Sequence, residues 1–186
     1  MYYPLRKRTL FITRLSLLIA LTLIIQICGL PQPITGPLIN AMFFITTTVF
    51  GWLAGVTLGC LTPLIALVRG QLPPIFAPMI PFIAASNALL ILVYFFIKSG
   101  FKFSGTRKLN PLKRVEIYLA IIVAAVVKFL FLSISVKILL PILISHNIPH
   151  KLTIMMTIPQ LITALIGGVI ALSLHEILHR AGFITK

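Results

Sequence analysis

Lys128 sits near the middle of a long apolar run, Val115 to Leu140. A charged side chain at that depth is costly and is by default tied to function. On a helix it shares a stripe with Ala124 and Ser135, a small and polar face suited to a bundle interior. Three amides accompany it: Asn40, Asn87 and Gln160, each early in an apolar run, with Thr157 and Thr163 flanking the last. Arg69 ends a further run. An ammonium, a guanidinium and a set of amides suit a carboxylate, a phosphate or a polar neutral molecule. They do not suit a cation. The chain has only two acids, Glu116 and Glu176, and no Asp. Singly, each amide is ordinary interhelical glue, and a buried lysine can bond backbone carbonyls for packing alone. What distinguishes these residues is that they gather toward one end of the runs, while the other end offers only Thr46, Thr47 and Thr48.

A second pattern points to different chemistry. His175-Glu176-Ile177-Leu178-His179 matches H-E-x-x-H, in which two histidines one turn apart bind zinc and the glutamate activates water. A catalytic zinc needs a third protein ligand. No Asp exists to supply it, His146 and His150 fall at the opposite end, and Glu116 is the only other acid. A charged cluster ending the last helix is the simpler account, since cations favour helix C-termini. A zinc-dependent intramembrane metallopeptidase is therefore the alternative reading; the main one assigns no catalytic residue, no metal and no cofactor.

The elements that position these side chains follow from composition. Of 186 residues, 59% are hydrophobic and 10% charged, with mean hydropathy +1.12. Soluble domains carry about a quarter charged residues, so this is an all-α integral membrane protein in a lipid bilayer. The net charge of +14 would point to nucleic acid in a soluble chain. Here the basic residues flank apolar runs, so the membrane accounts for them and no nucleic acid is expected. Cys28 and Cys60 lie in apolar runs and form neither a disulfide framework nor a metal set.

Six spans are expected, in a single membrane domain over residues 1–186. The first runs from Thr9 to Gly29, with Arg14 able to snorkel. It is too long for a signal-peptide core and lacks a small-x-small cleavage site, so it is read as retained. Leu30-Pro31-Gln32-Pro33 breaks it. The second and third share Gly36 to Val68, split near Gly51 or Gly55; one helix with a re-entrant piece is the alternative. The fourth is Pro81 to Ile97, the fifth Val115 to Leu140, stopped by Pro141, and the sixth Thr153 to Leu178. Between the third and fourth, four prolines (Pro73, Pro74, Pro78, Pro81) forbid a continuous helix. The Ile75, Phe76, Met79 and Ile80 among them make this a half-buried rim segment, the mouth of a site.

Orientation follows from the basic residues. Arg6, Lys7, Arg8, Lys98, Lys102, Arg107, Lys108, Lys113, Arg114, Arg180 and Lys186 fall on one side, against Arg69, Lys137 and Lys151 on the other. Both termini are thus expected in the cytoplasm of a prokaryote, and the amide cluster faces outward. There is no P-loop and no chain of buried acids, so any transport draws its energy from another protein. Two helix faces are smooth enough for a partner: Ser16 and Ala20 in the first span, and Ala164, Gly167, Gly168 and Ala171 in the sixth. A structural assembly factor, with no ligand, is a third reading.

Taken together, the pattern resembles the substrate-binding S component of an energy-coupling factor (ECF) transporter over nearly the whole chain. The resemblance lies in Thr35-Gly36-Pro37-Leu38-Ile39-Asn40-Ala41, in Leu72-Pro73-Pro74 with Ala77-Pro78, and in Pro81-Phe82-Ile83 with Asn87-Ala88. It implies a membrane subunit that captures a vitamin-like small molecule from outside and associates with a membrane scaffold subunit and two ATPase subunits. The family's first helix often carries two alanines four apart at the scaffold interface; Ser16 and Ala20 stand there, the serine being a departure. Metal-specific members use an N-terminal histidine, which Met1-Tyr2-Tyr3 lacks. The expected substrate-binding residues are Asn40, Arg69, Asn87, Lys128 and Gln160.

Overall fold

The computed structural model describes residues 3–100, 111–143, 154 and 156–180. Residues 101–110, the segment with His146, His150 and Lys151, and Lys186 lie outside the described residues. So do the side chains of His179, Arg6, Lys7, Arg8, Lys113, Arg114 and Arg180.

Six α-helices and one 3₁₀ segment make up the described chain: α1 (Tyr3–Ile27), α2 (Gln32–Phe50), α3 (Trp52–Val68), the 3₁₀ segment (Pro74–Met79), α4 (Ile80–Gly100), α5 (Pro111–Leu143) and α6 (Ile158–Arg180). Five spans are long and apolar enough to cross a membrane, and α3 is a shorter apolar helix of 17 residues. The chain is a multi-pass helical membrane protein. The end where α1 stops and α2 starts is called the upper end below.

Glycine and proline set the boundaries. Gly29 ends α1 at φ 69°, and Pro31, already at non-helical ψ, precedes α2. Gly51, at φ 92°, separates α2 from α3 with no other residue between them. A side chain at such φ is disfavoured, so glycine is what allows so abrupt a reversal. α3 then runs back to the upper end, where Arg69 meets Ile27 at the end of α1. The stretch expected to hold spans two and three therefore forms two helices, parted at Gly51. Gly70, at φ 72°, closes α3, with the Gln71 N–H returning to the Ala66 carbonyl.

Several expected boundaries shift: α2 starts at Gln32 instead of Gly36, α5 at Pro111 instead of Val115, and α6 at Ile158 instead of Thr153. α4 starts at Ile80, one residue before Pro81. Pro141 does not stop α5; it lies inside the last turn, where its missing N–H and its ring disturb little beyond the Lys137 carbonyl. The proline-rich rim is also more ordered than a bare loop. Its 3₁₀ turns bury Phe76 and Met79 completely against Leu132, Val136 and Met156, a small core of its own at the upper end.

The main core surrounds α2, the most buried span at 67%, against 11% for α1. α2 packs most extensively on α6, and α4 on α5 and α3. Small residues carry these approaches. A Cβ built on Gly167 would stand 2.7 Å from both Asn40 Cβ and the Pro37 carbonyl oxygen, and one on Gly36 would reach Thr163 Cγ2 at 2.8 Å. The small-residue stripe of α6 is thus buried inside the chain, which corrects its reading as a partner face: it lets α2 and α5 come close. On α3, Gly55 and Gly59 form a G-x-x-x-G pair doing the same, Gly59 against Asn87 and Ile91. Replacing Gly167 by Ala is expected to cost about 1–3 kcal/mol through forced separation of α2 and α6. Gly100→Ala, where a Cβ meets nothing within 4 Å, is the control. Thermal unfolding in mild detergent checks this; equal midpoints for the two variants would contradict the packing.

Candidate functional site

At the upper end, α1 to α6 line an open cavity of about 90 Å³. Its deep wall contains Asn40, Asn87 and Lys128, all buried, and the half-buried Gln160 completes it. Four of the five expected binding residues therefore come together from α2, α4, α5 and α6. The fifth does not. Arg69 donates from Nη2 to the Ile27 carbonyl at 2.8 Å in an exposed position, where it satisfies one of the open carbonyls at the end of α1. A cation at the C-terminus of a helix also meets the favourable end of its dipole, so Arg69 is held there and does not line the cavity.

The hydrogen bonds explain how each side chain is held. Lys128 Nζ donates to Asn40 Oδ1 at 2.9 Å and lies 5.9 Å from the centre of the Phe43 ring. Asn40 Nδ2 donates to the Gly36 carbonyl at 2.9 Å, and to Thr163 Oγ1 of α6 at 3.4 Å. The amide is therefore oriented by its own helix and by α6, and it presents oxygen to the lysine. Asn87 repairs a defect. Pro63 in α3 has no N–H, so the carbonyl of Gly59 four residues earlier loses its helical donor. Asn87 Nδ2 supplies one from α4 at 3.0 Å, with Thr62 Oγ1 at 3.3 Å as a second. Asn87 thus joins two helices through one N–H, and its oxygen and second N–H are left for the cavity it lines.

Four more polar residues line the cavity: Gln26, Gln32, Thr35 and Thr62. Gln26 bonds Gln71 in the turn after α3, and Thr35 Oγ1 bonds the Leu30 carbonyl at 2.8 Å. The signal for them was available in part. Gln26 and Gln32 bracket the Pro31 break, at the same end as Asn40 and Gln160.

Below the cavity the bundle is mainly apolar, with Thr46 and Thr47 of α2 buried in it. Phe43, Phe44, Leu90, Ile91 and Ala124 are all essentially inaccessible. A second cavity of about 70 Å³ lies beyond, with Tyr94, Lys98 and His175 in its wall. There Lys98 Nζ donates to Thr48 Oγ1 at 3.0 Å, and Thr48 Oγ1 lies 2.9 Å from Tyr94 Oη. His175 of the H-E-x-x-H pattern is half-buried beside this cavity, whereas Glu176 is exposed. Among the described residues, no three of His, Cys, Asp and Glu group to hold a metal.

Ser16 and Ala20 are both exposed on α1. Leu17, Leu21 and Ile24 continue the same apolar, accessible surface.

The sequence matches a family profile described as ECF transporter, substrate-specific component, over residues 10–179. The chain belongs to this family. It is one of transporter binding components and not of enzymes, which places the protein as a substrate-specific transporter subunit. No curated protein and no solved structure matches the chain at a significant level.

The lysine–asparagine bond is testable by a double-mutant cycle. Asn40→Leu removes the acceptor from a buried ammonium and is expected to cost about 1.5–3 kcal/mol. In a Lys128→Met background the same change should cost much less. Unfolding midpoints in detergent give the coupling; a value near zero would mean the bond does not form.

Proposed function

We propose that the chain is the S component of an ECF-type importer, capturing a vitamin-like, anionic or polar micronutrient from outside the cell. Lys128, Asn87 and Gln160 hold the substrate, Asn40 orients the lysine, and Gln26 and Thr62 stand beside them. The observation that carries this reading is one lysine and several amides converging on a single upper cavity, above an apolar layer. The cavity is small beside the roughly 300–1,000 Å³ of sites that enclose a drug-sized ligand. It takes one end of the substrate, and the rest lies toward the half-buried Gln32 and Gln160.

The topology expected from the positive-inside rule puts this cavity on the outer side of a prokaryotic plasma membrane, with both termini in the cytoplasm. Uptake then needs a partner that hydrolyses ATP, a membrane scaffold subunit with two ATPase subunits. α1 is the surface for it: it is the least buried span, and Ser16 and Ala20 leave room for a second helix to approach closely.

Co-expression with the scaffold and ATPase subunits tests the assignment. The wild-type chain is expected to co-purify with them. Ser16→Trp and Ala20→Trp should each reduce recovery of the complex at least tenfold, while the isolated variants elute and unfold like the parent, because those positions touch little of their own chain. Failure of the wild type to co-purify with any such module would remove the transporter-subunit assignment.

A further inference from the structure

We propose that the upper cavity takes a single carboxylate, seated on Lys128. This rests on reading the cavity as the substrate site and narrows the chemistry of what enters it.

Lys128 Nζ is buried and carries three donors. The described residues give it one acceptor, Asn40 Oδ1, and the face of Phe43. Two donors remain for the cavity it lines. No carboxylate of the bundle can meet them. Glu116 is twelve residues away on the same helix, about 18 Å along its axis, and Glu176 is sixteen residues beyond Gln160 on α6, about 24 Å. The chain has no other acidic side chain. The counter-charge for this ammonium therefore comes from the occupant.

The count of cations then fixes the charge. Arg69 is held at the end of α1, so among the described residues Lys128 is the one cation in the cavity wall. A carboxylate balances it. A phosphate monoester, at about −1.5 to −2, would leave negative charge unbalanced in a low-dielectric interior. A neutral amide or an amine leaves the ammonium unbalanced or repelled. Asn40 Nδ2 is committed to Gly36 and Thr163, whereas Asn87 Nδ2 gives one N–H to Gly59 and keeps a second, a neutral donor that adds no charge to meet the anion's. Asn40 is a positioning residue: its oxygen aims Nζ, and the carboxylate takes the donors that Asn40 leaves.

The test uses fragments small enough for the cavity. The full-length chain in mild detergent is unfolded thermally in sodium acetate, acetamide or sodium phosphate, with sodium chloride matching ionic strength. Acetate is expected to raise the midpoint saturably by a few degrees, and acetamide and phosphate not to. Lys128→Met should abolish the acetate response. So should Asn40→Asp, which places a carboxylate beside Nζ and serves if the first variant does not fold. An equal response to acetamide, a larger one to phosphate, no response to acetate, or an acetate response persisting in both variants would each overturn the proposal. Co-purification with the ATPase module is independent of acetate, so loss of the carboxylate site and loss of the transporter assignment give different results.

Discussion

A lysine ammonium is held inside this bundle by a neutral oxygen, because no acid is within reach. That constraint orders much of the upper half. Asn40 can present its oxygen only if its nitrogen is anchored, and the anchors are the Gly36 carbonyl and Thr163 of α6. Thr163 is near enough only because α2 and α6 meet without intervening side chains, at Gly36 and Gly167. In a bilayer such contact is a main source of helix association, since lipid tails are as apolar as leucine. Two glycines, one threonine and one asparagine therefore act as a unit that aims one charge.

The second asparagine follows the same logic from a different start. Pro63 removes a donor from α3, and Asn87 of α4 returns it to Gly59. An unmet carbonyl in hydrocarbon costs several kcal/mol, so the helix defect and the amide that meets it belong together. The gain is more than repair. With one N–H engaged at Gly59, Asn87 keeps its oxygen and its second N–H, while Asn40 turns its oxygen to Lys128. The wall thus sets one ammonium among neutral amides and hydroxyls, those of Gln26, Gln32, Thr35, Thr62, Asn87 and Gln160. The lower half has a different character, with phenylalanine, leucine and isoleucine packed between the two cavities.

Most of this was legible in sequence where a single rule decides. Apolar length located the helices, Gly51 was one of two offered break points, and the depth of Lys128 marked it out. Asn40, Asn87 and Gln160 fell together because helices that alternate in direction bring the starts of the second, fourth and sixth spans to one end. What was not legible depends on which neighbour claims a group first. Arg69 carried the right charge at the right end, but the open carbonyl of Ile27 takes it. The glycine stripe of α6 reads the same whether it faces a partner or its own chain; only the packing of α2 and α5 against it decides. Pro141 was given the power to stop a helix, yet within a last turn few bonds remain for it to break. Gln26 and Gln32 went unnoticed because polar residues next to a break are ordinary, and only the fold turns them toward a cavity.

The least buried helix is also attached in a particular way. α1 exposes most of its surface, yet at its upper end Gln26 is buried in the cavity wall and bonded to Gln71, and Arg69 holds the Ile27 carbonyl. Its firm polar connections to the turn after α3 are thus at the same end as the cavity, while Ser16 and Ala20 lie two to three turns away on open surface. α1 still packs Leu18, Ile19 and Ile25 against the main core and Phe11 against Phe50, so apolar contacts and the polar bonds at its upper end hold it together, and Gln26 belongs to the cavity itself.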